Sequence, residues 1–323
     1  MSPGTHPNDT VKQVNQSCLT EITLLGFSDF QKTQTLLFWL VLTFYLVALA
    51  GNSMILILTI ANPTLHTPMY FFLQNLSFLE IGYTTTIIPK TLDHLMSDNL
   101  TISFVGCGIQ MYFFILFGIT ECCLLCVMSY DRYVAICKPL QYSCIMSPTE
   151  CARLAAISWA IGILVTFVQS VQILILPFCG PNRISHFFCD ILPVLRLATT
   201  DTFKDELIVA TVTVFFILVP FLLILLSYIL IISTILRMPA AKNRRKAFST
   251  CSSHLIVVSL FYGTALFTYM RPKSLYSIDN DRILSLLYTV VTPTFNPIIY
   301  SLRNKEMKAA LKKSIGRKPF FLR

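Results

Sequence analysis

Asp131 and Arg132 stand side by side, with opposite charges, at the inner end of a long apolar run. Such a pair at a membrane boundary can hold helix ends together. Breaking it frees the guanidinium to swing towards a partner, which makes a two-state element. A simple interfacial anchor is the other reading of the same two residues. Glu80 and Glu121 are the only acids well inside apolar runs. A carboxyl there is costly and normally faces a bundle interior; a protonated, hydrogen-bonded glutamic acid fits equally well. Pro293 and Pro297 each remove a backbone N–H from the last apolar run, and Asn296 can satisfy a freed backbone group. No nucleophile–base pair, metal motif or phosphate loop is apparent, so an enzyme is not expected. The eleven cysteines are scattered without tight spacing, which argues against a metal cluster.

Positioning these residues requires membrane-spanning helices. The chain has 323 residues, of which 54% are hydrophobic and only 13% charged. A water-soluble surface needs more charge than this. A span needs about 20 mostly apolar residues. Seven are read, at 36–60, 69–88, 105–130, 154–176, 207–236, 255–270 and 283–302. The sixth is short and is expected to begin near Ala241, with a basic first turn. The seventh is broken by its two prolines, and six spans would also satisfy hydropathy alone.

With the amino terminus outside, 16 of the 25 lysines and arginines face the cytoplasm, among them Arg132, Arg237, Arg244, Lys308 and Lys312. The net charge of +9 therefore belongs to an inner membrane face rather than to a nucleic-acid site. The expected organisation is an extracellular segment over 1–35, a seven-helix bundle over 36–302 and a cytoplasmic tail over 303–323. Residues 1–35 carry no run long enough for a signal peptide, so the first span should insert itself. The sequons at Asn8, Asn15 and Asn99 fall on the outer side, with Asn8 and Asn15 the expected glycosylation sites, whereas that at Asn75 is inside a span. Residues 304–314 read as an amphipathic helix on the membrane surface, with Met307 and Leu311 on one side and lysines elsewhere.

Residues 128–140 read MSYDRYVAICKPL. This closely resembles the signature of vertebrate odorant receptors, a branch of the rhodopsin-like G-protein-coupled receptors. Further matches follow in family order: Gly51-Asn52, PMYFFL at 68–73 with Leu76-Ser77, Ser227-Tyr228, KAFSTCSSHL at 246–255, Phe261-Tyr262-Gly263 and NPIIYSLRN at 296–304. The resemblance covers nearly the whole chain.

It implies an all-α, seven-transmembrane bundle with an odorant site between the outer halves of the helices. The expected lining is Met111, Phe114, Ile115, Gly118, Ile119 and Cys122 from the third span, each recurring at helical spacing. The fifth span would add Val209, Val212, Thr213 and Phe216. Tyr262, Ala265, Leu266 and Tyr269 would come from the sixth, and Leu286 and Thr289 from the seventh. Helix–helix packing is the alternative for each stripe taken alone. Phe114 stands where amine receptors carry a carboxylate, which favours a small, neutral, hydrophobic ligand bonded by the hydroxyls of Thr213, Tyr262, Tyr269 or Thr289. Arg271 and Lys273 could attract an anion or act as interfacial anchors.

At the inner face, resemblance assigns Asp131, Arg132, Tyr133, Tyr228, Asn296, Pro297 and Tyr300 to activation and to coupling with a stimulatory, olfactory G protein. Glu80 and Glu121 would line a cavity able to hold sodium, although most of the family carries Asp where this chain has Glu80. The family joins Cys107 to Cys189. Its second loop bridge lacks a partner here, since Thr199 stands at that position, leaving Cys179 free or paired elsewhere, with Cys18 the only other outer candidate. The implied setting is the plasma membrane of olfactory sensory cilia, in contact with membrane lipid. A related receptor for a non-odorant ligand outside the nose is an alternative. A transporter or channel would need internal repeats or a continuous polar path, and neither is seen.

Overall fold

The computed structural model describes residues 19–27, 33–97, 100–269, 278–303 and 305–316. Its spans in chain order are α1 (Gln34–Ala61), α2 (Pro68–Met96) and α3 (Phe104–Cys137), followed by the one-turn α4 (Tyr142–Ile145). Then come α5 (Pro148–Leu174), the short loop helix α6 (Ile191–Leu195), α7 (Phe203–Leu236) and α8 (Ala241–Tyr269). The seventh span is composite: α9 (Ile278–Leu286), a π-helical turn (Leu287–Val291) and α10 (Thr292–Arg303). After it, α11 (Lys305–Gly316) buries Met307 and Ala310 while Lys308, Lys312 and Lys313 stay exposed.

Local chemistry sets several of these boundaries. The Ser103 side chain accepts from the Gly106 N–H and starts α3. Ser147 does the same for Glu150, with Pro148 behind it, to start α5. Six helices among the described residues are long and apolar enough to cross a membrane, and α2 is the exception. The sequence had pointed to the sixth and seventh as the marginal ones. The reason lies in α2's inward face, where Ser77, Glu80 and Thr84 are buried. Polar residues that face a bundle lower apolarity without exposing anything to lipid.

Helix α3 is central, packed against α2, α5 and α7, and α10 packs on α1 and α8. Pro297 has no N–H for the Pro293 carbonyl four residues before it. The partner expected for a freed carbonyl was Asn296, but the structure supplies Asn52 of α1, whose Nδ2 lies 3.5 Å from the Pro293 oxygen. Asn296 turns instead to Glu80. A neighbouring helix reaches the orphaned carbonyl because Gly51 lets α1 come close: a Cβ at Gly51 would lie 2.9 Å from the Pro297 ring.

The outer face carries a three-stranded sheet that hydrophobic runs do not foretell. β1 (Glu21–Leu24) pairs antiparallel with β2 (Thr101–Ser103) and parallel with β3 (Arg183–Ile184). Ile22 and Leu24 point inwards and are fully buried. Gly26, at φ +41°, turns the chain so that Phe27 stacks on Phe187 at 5.2 Å. The disulfide joins Cys107 to Cys189, as the resemblance implied. Cys179 is free, and the Thr199 hydroxyl bonds the Pro177 carbonyl at 3.1 Å, a non-covalent tie across the same part of the loop. Asn8, Asn15, Cys18, Asn99, Arg271 and Lys273 lie outside the described residues.

Candidate functional site

A cavity of about 200 Å³ lies between α3, α5, α7 and α8 under the outer loop. That is below the ~300–1,000 Å³ typical of drug-sized sites, and suits a small molecule. Helix α3 contributes Phe114, Ile115, Gly118, Ile119 and Cys122, and α7 contributes Val209, Val212, Thr213 and Phe216, with Ala265 from α8. These are the residues of the expected lining that face the cavity.

Other expected lining residues lie elsewhere. Met111 is fully buried in the core. Tyr262 lies beneath the cavity, its hydroxyl donating to the Cys122 carbonyl at 3.1 Å and its ring against Phe221. Thr289 donates to the Ser285 carbonyl of its own helix at 2.6 Å. Leu266 and Leu286 pack against the core instead of lining the cavity. The side chain of Tyr269 is outside the described set. Two of the four hydroxyls expected in the site are therefore engaged with backbone.

The lining also includes residues the sequence reading missed, chiefly Tyr83, Gln169, Asp190, Phe261 and Tyr288. Gln169 was detectable as a polar residue within an apolar span. Asp190 follows the bridged Cys189, and its carboxylate accepts from the Ile191 N–H at 2.7 Å to cap α6.

An aromatic roof closes the outer side. Phe114 meets Phe188 at 4.9 Å and Tyr83 at 5.5 Å. Phe188 in turn meets His186 at 4.6 Å, and His186 Nε2 is 2.9 Å from the Ser285 hydroxyl. Burial, and then the nearby Arg282 charge, hold the His186 pKa down at about 3, so the ring is neutral.

At the opposite end, Arg132 Nε donates to Asp131 at 2.9 Å, and the Tyr142 hydroxyl of α4 donates to the other carboxylate oxygen at 2.8 Å. Both charges are buried. Tyr142 is held protonated: burial and the Asp131 charge beside it push its pKa up. Tyr228 lies 2.7 Å from His254 Nδ1 across α7 and α8. The Tyr300 hydroxyl is buried and has no partner among the described residues. Tyr133 is outside this group, stacked on Tyr130 beneath Lys138.

A family model described as olfactory receptor matches residues 41–318. Among curated proteins, human olfactory receptor 10A4 is 57% identical over 94% of this chain and 96% of its own length. Human olfactory receptor 10C1 is 55% identical over 93% and 96%, and human olfactory receptor 10P1 is 54% identical over 94% and 97%. The chain belongs to the olfactory receptor family. It is a seven-helix, odorant-binding receptor of the G-protein-coupled class, a multi-pass plasma-membrane protein and not an enzyme.

Between this receptor's cavity and its inner face lie Glu80 and Glu121. Glu80 accepts a hydrogen bond from Asn296, and Glu121 lies beside it. Glu80 Oε2, Glu121 Oε1 and Asn296 Oδ1 remain buried without partners. Buried orphan oxygens are costly unless a proton, water or cation meets them. The donor set is therefore compatible with a monovalent cation. Among the described residues there is no cluster of three or more metal-ligating acids, cysteines or histidines.

Proposed function

We propose that this receptor takes small, neutral, predominantly apolar volatiles into the cavity under Phe188 and drives a stimulatory G protein that raises cyclic AMP. The observation carrying this reading is a continuity along one helix. Phe114, Gly118 and Cys122 line the cavity, and Asp131 and Arg132 lie two to three turns further along the same α3. A ligand that shifts α3 relative to α7 and α8 changes the surroundings of both ends at once. The unpartnered Tyr300 hydroxyl and the Arg132 guanidinium give the alternative state new hydrogen bonds to make. The exposed lysines of α11 suit anionic lipid at the same face.

Olfactory sensory cilia are the setting this reading implies. Sodium at Glu80, Glu121 and Asn296 would stabilise the resting state, supplying positive charge to the three oxygens. A titration with sodium against choline chloride tests this by melting temperature; an equal response from Glu80→Gln and Glu121→Gln would overturn it.

The main test is a cyclic AMP reporter screen against volatile classes, with surface expression measured in parallel. Arg132→Ala should abolish the response while ligand binding persists, and Phe114→Ala should change ligand preference while basal output persists. Ligand-evoked current in cells lacking G protein would refute the proposal.

A further inference from the structure

We infer that Gln169 is the group that selects ligands bearing one carbonyl or hydroxyl oxygen. The inference rests on the cavity being the odorant site. Gln169 lies on α5, lines the cavity and is only 4% exposed. Its amide has no hydrogen-bond partner among the described residues. Gln172, one turn outward on the same helix, is by contrast engaged, donating to Asp205 of α7 at 2.6 Å. Gln110, a buried amide of α3, is likewise paired. Gln169 is therefore a buried amide that brings two donors and an acceptor to the wall of an apolar space.

A buried amide left unpaired is destabilising, and a ligand oxygen that meets it recovers that loss on binding. Two other polar groups of the lining, Asp190 and Thr213, have alternatives within the protein. Asp190 caps α6. Thr213 can turn its hydroxyl back to the carbonyl four residues before it. The Asp190 carboxylate also sets the sign: an anionic ligand would be repelled at this wall. A neutral carbonyl accepts from the Gln169 NH₂, and an alcohol can in addition donate to its oxygen. The apolar residues of the same lining, among them Ile115, Val209 and Phe216, receive the hydrocarbon.

The test uses purified full-length receptor and four probes with one eight-carbon skeleton: octane, octan-1-ol, octan-2-one and octanoate. Affinities are measured by thermal shift against free ligand concentration, corrected for partition into detergent. For wild type, octan-2-one and octan-1-ol should bind about five- to a hundredfold tighter than octane, the range expected for satisfying one buried polar group. Octanoate should bind more weakly than octan-2-one. In Gln169→Leu and Gln169→Met, octane should bind as well as in wild type and the preference for oxygen should collapse. Two results would overturn the assignment while leaving the cavity intact. One is equal wild-type affinity for octane and octan-2-one, which needs no variant. The other is an undiminished oxygen preference in a variant that still binds octane. If wild type bound none of the four, the odorant site itself would be misplaced and the inference would fall with it.

Discussion

Replacing Gly51 with alanine should separate α1 from the seventh span. The added Cβ would lie 2.9 Å from both Cβ and Cγ of Pro297, where ordinary contact begins at 3.4 Å. The helices must therefore part by about 0.5 Å, the difference between the two, and the proline ring has no rotamer that would relieve it. Overpacking of this kind costs about 1–3 kcal/mol. Alanine gains up to ~1 kcal/mol of helix propensity over glycine, which opposes but does not cancel the clash. Gly263 of α8 gives the control, since a Cβ there meets nothing within 4 Å. The Gly263→Ala variant should be neutral or slightly stabilised, so the two substitutions should differ by roughly 1–3 kcal/mol. At ~2–4 °C per kcal/mol, that is a separation of several degrees in melting temperature. The measurement is thermal unfolding of the two purified variants in the same detergent. Parting the helices also lengthens the 3.5 Å contact between Asn52 and the Pro293 carbonyl, so basal signalling should shift in Gly51→Ala alone. Coincident melting curves for the two variants would refute the idea that α1 and the proline kink are in limiting contact.

Three other outcomes follow from the same geometry. Tyr142→Phe removes the 2.8 Å bond to Asp131 while leaving Arg132 in place; at about 0.5–1.5 kcal/mol for one hydrogen bond, basal cyclic AMP should rise roughly two- to tenfold, and unchanged basal output at equal surface expression would count against a latch. Cys189→Ser opens a loop of 82 residues, which chain entropy values at about 4–5 kcal/mol, so melting should fall sharply and match that of reduced wild type; no fall would deny the bridge a stabilising role. His186 has a pKa of about 3 in the folded receptor, below the ordinary value of 6.5. Above pH 6.5 both states hold a neutral ring and nothing is lost, but as pH falls from 6.5 towards 3 the unfolded chain takes the proton more readily, and stability should decline by up to about 1.4 kcal/mol per unit. Melting followed from pH 7.5 to 5.5 should show that slope in wild type and a flatter one in His186→Asn; identical slopes would sink the assignment.

The spans were legible because lipid enforces them: a backbone in hydrocarbon must bond to itself, and about 20 apolar residues are the minimum that can do so. The same rule explains why α2 was readable as a span despite its polarity, since Ser77, Glu80 and Thr84 are buried in the bundle. The outer sheet was not legible. A four-residue EITL stretch carries little strand signal, and its partners lie some 80 and 160 residues away, so only the folded loops bring them together. The cavity shows the same division at finer scale. Period and facing identified Phe114, Ile115, Gly118, Val209 and Thr213, because helical spacing fixes direction. Spacing does not say whether a hydroxyl on that face is available. Thr289 turned to its own helix and Tyr262 to the Cys122 carbonyl, each meeting the requirement that a buried polar group find a partner. On the cavity wall, the informative polar residue is one for which that requirement goes unmet within the protein. Gln169 has that property, and only the three-dimensional arrangement of α5 beside α3 and α7 reveals it.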